Sequence, residues 1–122
     1  MRLLALVLAA AAAAGLGAAA HASCVPMTPQ QQRARAAVIF DGVALDDPTG
    51  TGVQRFRLTR YLKGRGPHIV RVNTGFIKHA DGSGTLTSVS LIVHRGERWR
   101  IYGRGAATGI LRTTVCDGSH RR

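Results

Sequence analysis

Only two cysteines, two lysines, six acidic residues and six aromatics occur in the 122 residues of this sequence. No G-x-S-x-G elbow is present, which removes a familiar serine-nucleophile arrangement. The aromatics are too few for the stacking platform that single-stranded nucleic acid uses, because Phe40, Phe56 and Trp99 read as core. No nucleic acid partner is therefore expected. Beyond Ala14 no apolar run approaches the roughly 20 residues that cross a bilayer, so no span is expected in the rest of the chain. With so few acids the formal net charge is +11. Nearly all of the positive charge is Arg, since Lys63 and Lys78 are the only lysines.

The first residues predict a compartment. Arg2 forms a short positive n-region, Leu3 to Ala14 an apolar h-region, and Ala20-His21-Ala22 an A-x-A cleavage site. Together these are the parts of a secretory signal peptide, residues 1–22. The expected product is exported to the periplasm or out of the cell as one domain, Ser23 to Arg122, with formal charge reduced to +10 by loss of Arg2. A hundred residues hold a modest core, near the size where a covalent staple is useful. Arg forks match carboxylate, phosphate and sulfate groups. An anionic polymer, a membrane surface or an acidic protein fits such a charge, and so does a merely solvated basic surface. A monomer without cofactor is expected.

Thr28-Pro29-Gln30-Gln31 has the pattern of a helix start, with Thr as N-cap, Pro at the first helical position and Gln as capping-box partner. That helix should end near Ala37. Strands are then predicted at Val38–Leu45, with Gly42 as a bulge or bend, and at Val53–Leu62. In the second, Phe56, Leu58 and Thr59 are expected inward, and Arg55, Arg57 and Arg60 outward. Further strands are predicted at His68–Thr74, Ser88–His94, Arg98–Gly103 and Ile110–Val115. Gly75–Thr87 reads as a polar loop, and the tail Asp117–Arg122 as loose. Five or six short strands with turns between them make a mostly β small barrel or sandwich.

Cys24 has three readings: a lipid-attachment site, a metal-chelating N-terminus, or half of a disulfide. Lipidation usually requires Leu three positions earlier, where this chain has His21, and it would leave Cys116 unpaired. An exported chain with two cysteines usually joins them. Bridging Cys24 to Cys116 would close almost the whole domain.

Catalytic and metal chemistry find little support. His79 and Asp81 are the one close pair of potential ligands, with no third at sensible spacing. Asp46-Asp47 stands beside Pro48 and Gly50 and reads as a turn rather than an acid–base couple. Gly103-Arg104-Gly105 lacks the strand-then-helix setting of a phosphate loop. No catalytic or metal-ligating residues are assigned, and an enzyme is not expected.

In order along the chain, Cys24-Val25-Pro26, Val38-Ile39-Phe40-Asp41-Gly42-Val43, Tyr61-Leu62-Lys63-Gly64, Val70–Thr74, Gly96–Tyr102 and Leu111–Ser119 resemble the netrin-like, or tissue-inhibitor-of-metalloproteinase-like, domain in its small bacterial form. The resemblance implies a five-stranded OB-type barrel with short flanking helical segments, closed by one disulfide. The family typically opens Cys-x-Cys and pairs its first cysteine with one in mid-domain. Here Ala22 and the stretch Thr87–Ser90 lack both halves of that bond, while Cys24 and Cys116 match the other. The family's inhibitors chelate a protease zinc through an N-terminal cysteine, whereas this mature chain would begin at Ser23. Ser23, Cys24, Val25 and Pro26 therefore form only an alternative, inhibitory segment.

The main functional expectation is a non-catalytic binding module. Its candidate surface is Arg55, Arg57, Arg60, Arg98 and Arg100, joined by Arg112, and an anionic glycan or an acidic protein fits the charge without needing aromatics.

Overall fold

The structure is a computed structural model that describes residues 24–122. The predicted signal peptide, its cleavage site and Ser23 lie outside the described residues.

The helix α1 spans Pro29–Arg35 and begins as its sequence dictates. The Thr28 hydroxyl accepts from the Gln31 N–H at 3.1 Å, and the Gln31 side chain accepts from the Thr28 N–H at 2.8 Å. These reciprocal bonds satisfy two donors that a helix start otherwise leaves open. The helix stops two residues before the predicted Ala37, where Ala36 turns extended. There Lys63 Nζ donates to the carbonyls of Arg33 at 2.7 Å and Ala36 at 2.6 Å. No residue of α1 is buried. Seven residues are too few to be helical alone, so these caps, and Arg35 at 3.8 Å from Asp117, hold it in place.

The strands are β1 Val38–Ala44, β2 Val53–Lys63, β3 Ile69–Asn73, β4 Ile77–Lys78, β5 Gly84–Thr85, β6 Arg98–Gly103, β7 Ile110–Arg112 and β8 His120–Arg121. Six form one sheet in the order β7-β3-β2-β1-β6-β8, and β4 and β5 make a separate hairpin. All neighbours are antiparallel except β3 and β7, which run parallel. Just past β6, Arg104 exchanges two 2.9 Å backbone hydrogen bonds with Arg112 of β7. The fold is thus mostly β, with its main sheet curled into a half-barrel.

Val38, Phe40, Ala44, Phe56, Val70, Val72, Leu91, Val93, Trp99, Ile101 and Leu111 fill the inside of the curl. Phe40 meets Phe56 and Tyr61 edge-on, at centroid distances of 6.0 and 6.3 Å. Period-two alternation explains most of this set: Gln54, Phe56 and Leu58 point inward while Arg55 and Arg57 point outward. Thr59, predicted inward, is exposed. Arg60 pairs with Asp41 and Leu58 with Gly42, so Thr59 is an extra residue bulged out of the ladder. Gly42 is required beside this bulge. A Cβ there would lie 2.9 Å from the Arg57 carbonyl oxygen and 3.1 Å from the Phe40 ring.

Four other expectations need correction. Ser88–His94 is not a strand, although Leu91 and Val93 are buried as a strand's inward residues would be. Its backbone is bonded piecemeal, Leu91 N–H to the Thr74 carbonyl at 2.9 Å and the Val93 carbonyl from Gln54 Nε2 at 2.8 Å. The loop Gly75–Thr87 contains the β4–β5 hairpin. The last predicted strand ends at Arg112, and Val115–Asp117 is instead a 3-10 turn capped by Thr114. The tail is not loose, because Asp117 and Ser119 are buried and β8 pairs with β6. Ser119 Oγ accepts from the Tyr102 N–H at 2.8 Å, which an apolar pattern cannot reveal.

Candidate functional site: the outward arginine face

Register fixes which arginines share a surface. Side chains directly opposite one another on neighbouring strands lie on one face. One cross-strand row reads Ile69, Arg57, Val43, Arg98 over β3, β2, β1 and β6. A second reads Arg60, Asp41, Arg100, His120 over β2, β1, β6 and β8. A third reads Ile110, Arg71, Arg55 over β7, β3 and β2. All five candidate arginines, Arg55, Arg57, Arg60, Arg98 and Arg100, therefore lie on the outward face. Arg112 joins them on β7, opposite Asn73.

The five differ in what they touch. Arg100 donates from Nε to Asp41 Oδ1 at 2.7 Å and from Nη2 to Oδ2 at 2.9 Å. Arg60 Nε reaches the same carboxylate at 3.1 Å. These hydrogen bonds, Arg100's foremost, hold the Asp41 carboxyl down to about 2 against an opposing push from burial. Arg55 clasps Asp46 through Nε at 3.1 Å and Nη2 at 2.8 Å, and its own N–H donates to that carboxylate. Those bonds lower the Asp46 carboxyl below its ordinary range. Three of the five candidates thus already hold a carboxylate.

Arg57 and Arg98 do not. Both are exposed and neither has an ion pair among the described residues. Two strand spacings, about 10 Å, separate them across Val43. Arg71, absent from the sequence-based candidates, is exposed, outward and likewise without an ion pair. Its signal was legible: it stands between Val70 and Val72, both buried, at an alternating position. Arg122 lines a small hollow of about 170 Å³ with Asp41, Thr59, Arg98 and Trp99.

The alternative segment has its own geometry. Cys24 and Cys116 form a disulfide with Cα atoms 5.3 Å apart, joining the residue run before α1 to the 3-10 turn. Cys24, Val25 and Pro26 are exposed, and Val25 is 80% exposed. No helix among the described residues is long and apolar enough to cross a membrane.

The His79, Asp81 and Asp47 side chains are each bonded locally. His79 pairs with the Thr85 hydroxyl, while Asp81 accepts from the N–H and hydroxyl of Ser83 at 2.9 and 2.6 Å. Asp47 accepts from the Arg95 N–H at 3.0 Å, while Asp46 is held by Arg55, so the two carboxylates have separate partners. Among the described residues no three His, Cys, Asp or Glu side chains gather as a metal site would require. Buried Asp117 accepts from the N–H and hydroxyl of Thr114 at 2.9 and 3.0 Å and faces Arg104 at 3.2 Å. That cluster fastens the tail.

No protein-family model matches the chain, and no curated protein matches it.

Proposed function

We propose that the protein is an exported, non-catalytic module that binds anionic ligands on the outward face of its sheet. The observation that carries this reading is the placing of Arg57 and Arg98 in one row, with no carboxylate on either among the described residues. Guanidinium forks in that state keep their donors for sulfate, phosphate or carboxylate groups. Arg60 and Arg100 add charge while being fixed by Asp41, which gives the face a rigid centre. A sulfated or carboxylated glycan, or an acidic protein, is the ligand class. The disulfide suits an oxidising compartment.

We further propose that the domain is a netrin-like OB-type barrel of five strands, β1, β2, β3, β6 and β7. The parallel β3–β7 pairing, the return of β6 onto β1 and the Arg104–Arg112 bridge support that reading. The proposed function is tested on immobilised dextran sulfate. The protein comprising Ser23–Arg122 should elute at high salt, and Arg57→Ser/Arg98→Ser at clearly lower salt. Identical elution would remove the reading.

A second reading is favoured by the exposed Cys24-Val25-Pro26 segment anchored by its disulfide. In it, Ser23 to Pro26 enters a metalloprotease cleft. Acetylating the Ser23 amine should then abolish inhibition, and the arginine substitutions should leave it intact.

A further inference from the structure

We propose that the β3–β7 part of the outward face docks on an anionic lipid surface. This rests on the anion-binding reading above and adds an apolar component to it.

Ile69 and Ile110 are 47% and 45% exposed. Lone exposed apolar side chains are ordinary, but these two belong together. Ile110 stands opposite Arg71, and Ile69 is two residues from Arg71 on the same strand and face. They are diagonal neighbours across the parallel pair, one strand spacing and two residues of rise from each other, roughly 8 Å. Around them lie Arg57 opposite Ile69, Arg71 opposite Ile110, and Arg112 two residues along β7. None of these three arginines has an ion pair among the described residues. Asp46, the carboxylate tied to this end of β2, is held by Arg55.

The occupant follows from the combination. A dissolved polyanion satisfies the arginines but leaves both isoleucines in water. A lipid layer with anionic headgroups answers both, taking apolar side chains into the headgroup–acyl boundary while the guanidinium groups stay among the phosphates. Arginine suits that depth because its stem covers apolar surface while its head remains wet. The contact is flat and interfacial, with no chain segment crossing the bilayer.

The test is co-sedimentation of the Ser23–Arg122 protein with vesicles of phosphatidylglycerol and phosphatidylcholine, or of phosphatidylcholine alone, with dextran sulfate binding measured alongside. The expected result is partitioning onto the phosphatidylglycerol vesicles only. Ile69→Ser/Ile110→Ser should weaken that partitioning roughly tenfold, from two half-exposed side chains that no longer leave water. Its dextran sulfate affinity should not change, and its urea unfolding should remain a cooperative transition, which shows that the variant is folded. Arg71→Ser/Arg112→Ser should weaken vesicle binding too. Vesicle binding that ignores the isoleucine substitutions would overturn the proposal. So would dextran sulfate binding without vesicle binding, which leaves the anion-binding face standing with a glycan or acidic protein as its ligand. Loss of both would defeat the anion-binding reading itself.

Discussion

Arg100 on β6 closes on Asp41 of β1 through two hydrogen bonds, at 2.7 and 2.9 Å, in the middle of the outward face. Asp41 thereby fastens β1 to the strands on both of its sides, since Arg60 of β2 reaches it as well.

This clasp has a pH signature. The Asp41 carboxyl is lowered to about 2 from an ordinary value of 3.8. A lowered carboxyl contributes stability that is fully present above its unfolded value and is lost as pH falls through the folded one. The contribution is about 1–2 kcal/mol for a side chain this well covered. Unfolding free energies from urea titration of wild type and Asp41→Asn should differ by that amount at neutral pH and converge as pH falls from about 4 to about 2. A gap that persists at the acid end would show that Asp41 acts by packing instead.

Gln54 is buried and its amide donates to the carbonyls of Asp46 at 2.9 Å and Val93 at 2.8 Å. Gln54→Leu leaves both carbonyls without that donor, at a cost of about 1–3 kcal/mol. Because one of them belongs to the irregular run Ser88–His94, the Leu91 amide, bonded to Thr74, should exchange faster with solvent. Unchanged exchange would mean that the core residues Leu91 and Val93 hold that run unaided.

Much of the fold was legible because its signals are local. The Thr28 capping box, the alternation of β2 and β6, and the turn chemistry between them depend on neighbouring residues. The Ser88–His94 run satisfies a strand pattern with its apolar residues, but its backbone partners are a buried glutamine and separate loop groups, which no local pattern encodes. Thr59 faces outward against the alternation because a bulge shifts phase by one residue without a sequence mark of its own. The arginines on the face were also legible from alternation. Which of them are free was not, since Asp41 meets Arg100 across 59 positions of sequence. That distinction belongs to register.

The disulfide spans 92 residues. In chain-entropy terms a bridge of that reach is worth about 4–5 kcal/mol. Intact mass should show a chain two hydrogens light that gains them on reduction, and Cys24→Ser/Cys116→Ser should unfold at markedly lower urea. A lipid-sized increment on Cys24 would instead make the protein membrane-tethered.

The decisive measurement is the salt dependence of dextran sulfate affinity, by titration, for wild type, Arg57→Ser/Arg98→Ser and Arg65→Ser/Lys78→Ser. Both variants lose two positive charges, but Arg65 and Lys78 lie in the β2–β3 turn and the β4–β5 hairpin. If the unpaired row binds the anion, the Arg57/Arg98 variant should bind weakly with a slope of log Kd against log salt shallower by roughly 1–2. The Arg65/Lys78 variant should stay near wild type. Equal losses in both variants would contradict a defined site and leave only the overall charge of the molecule.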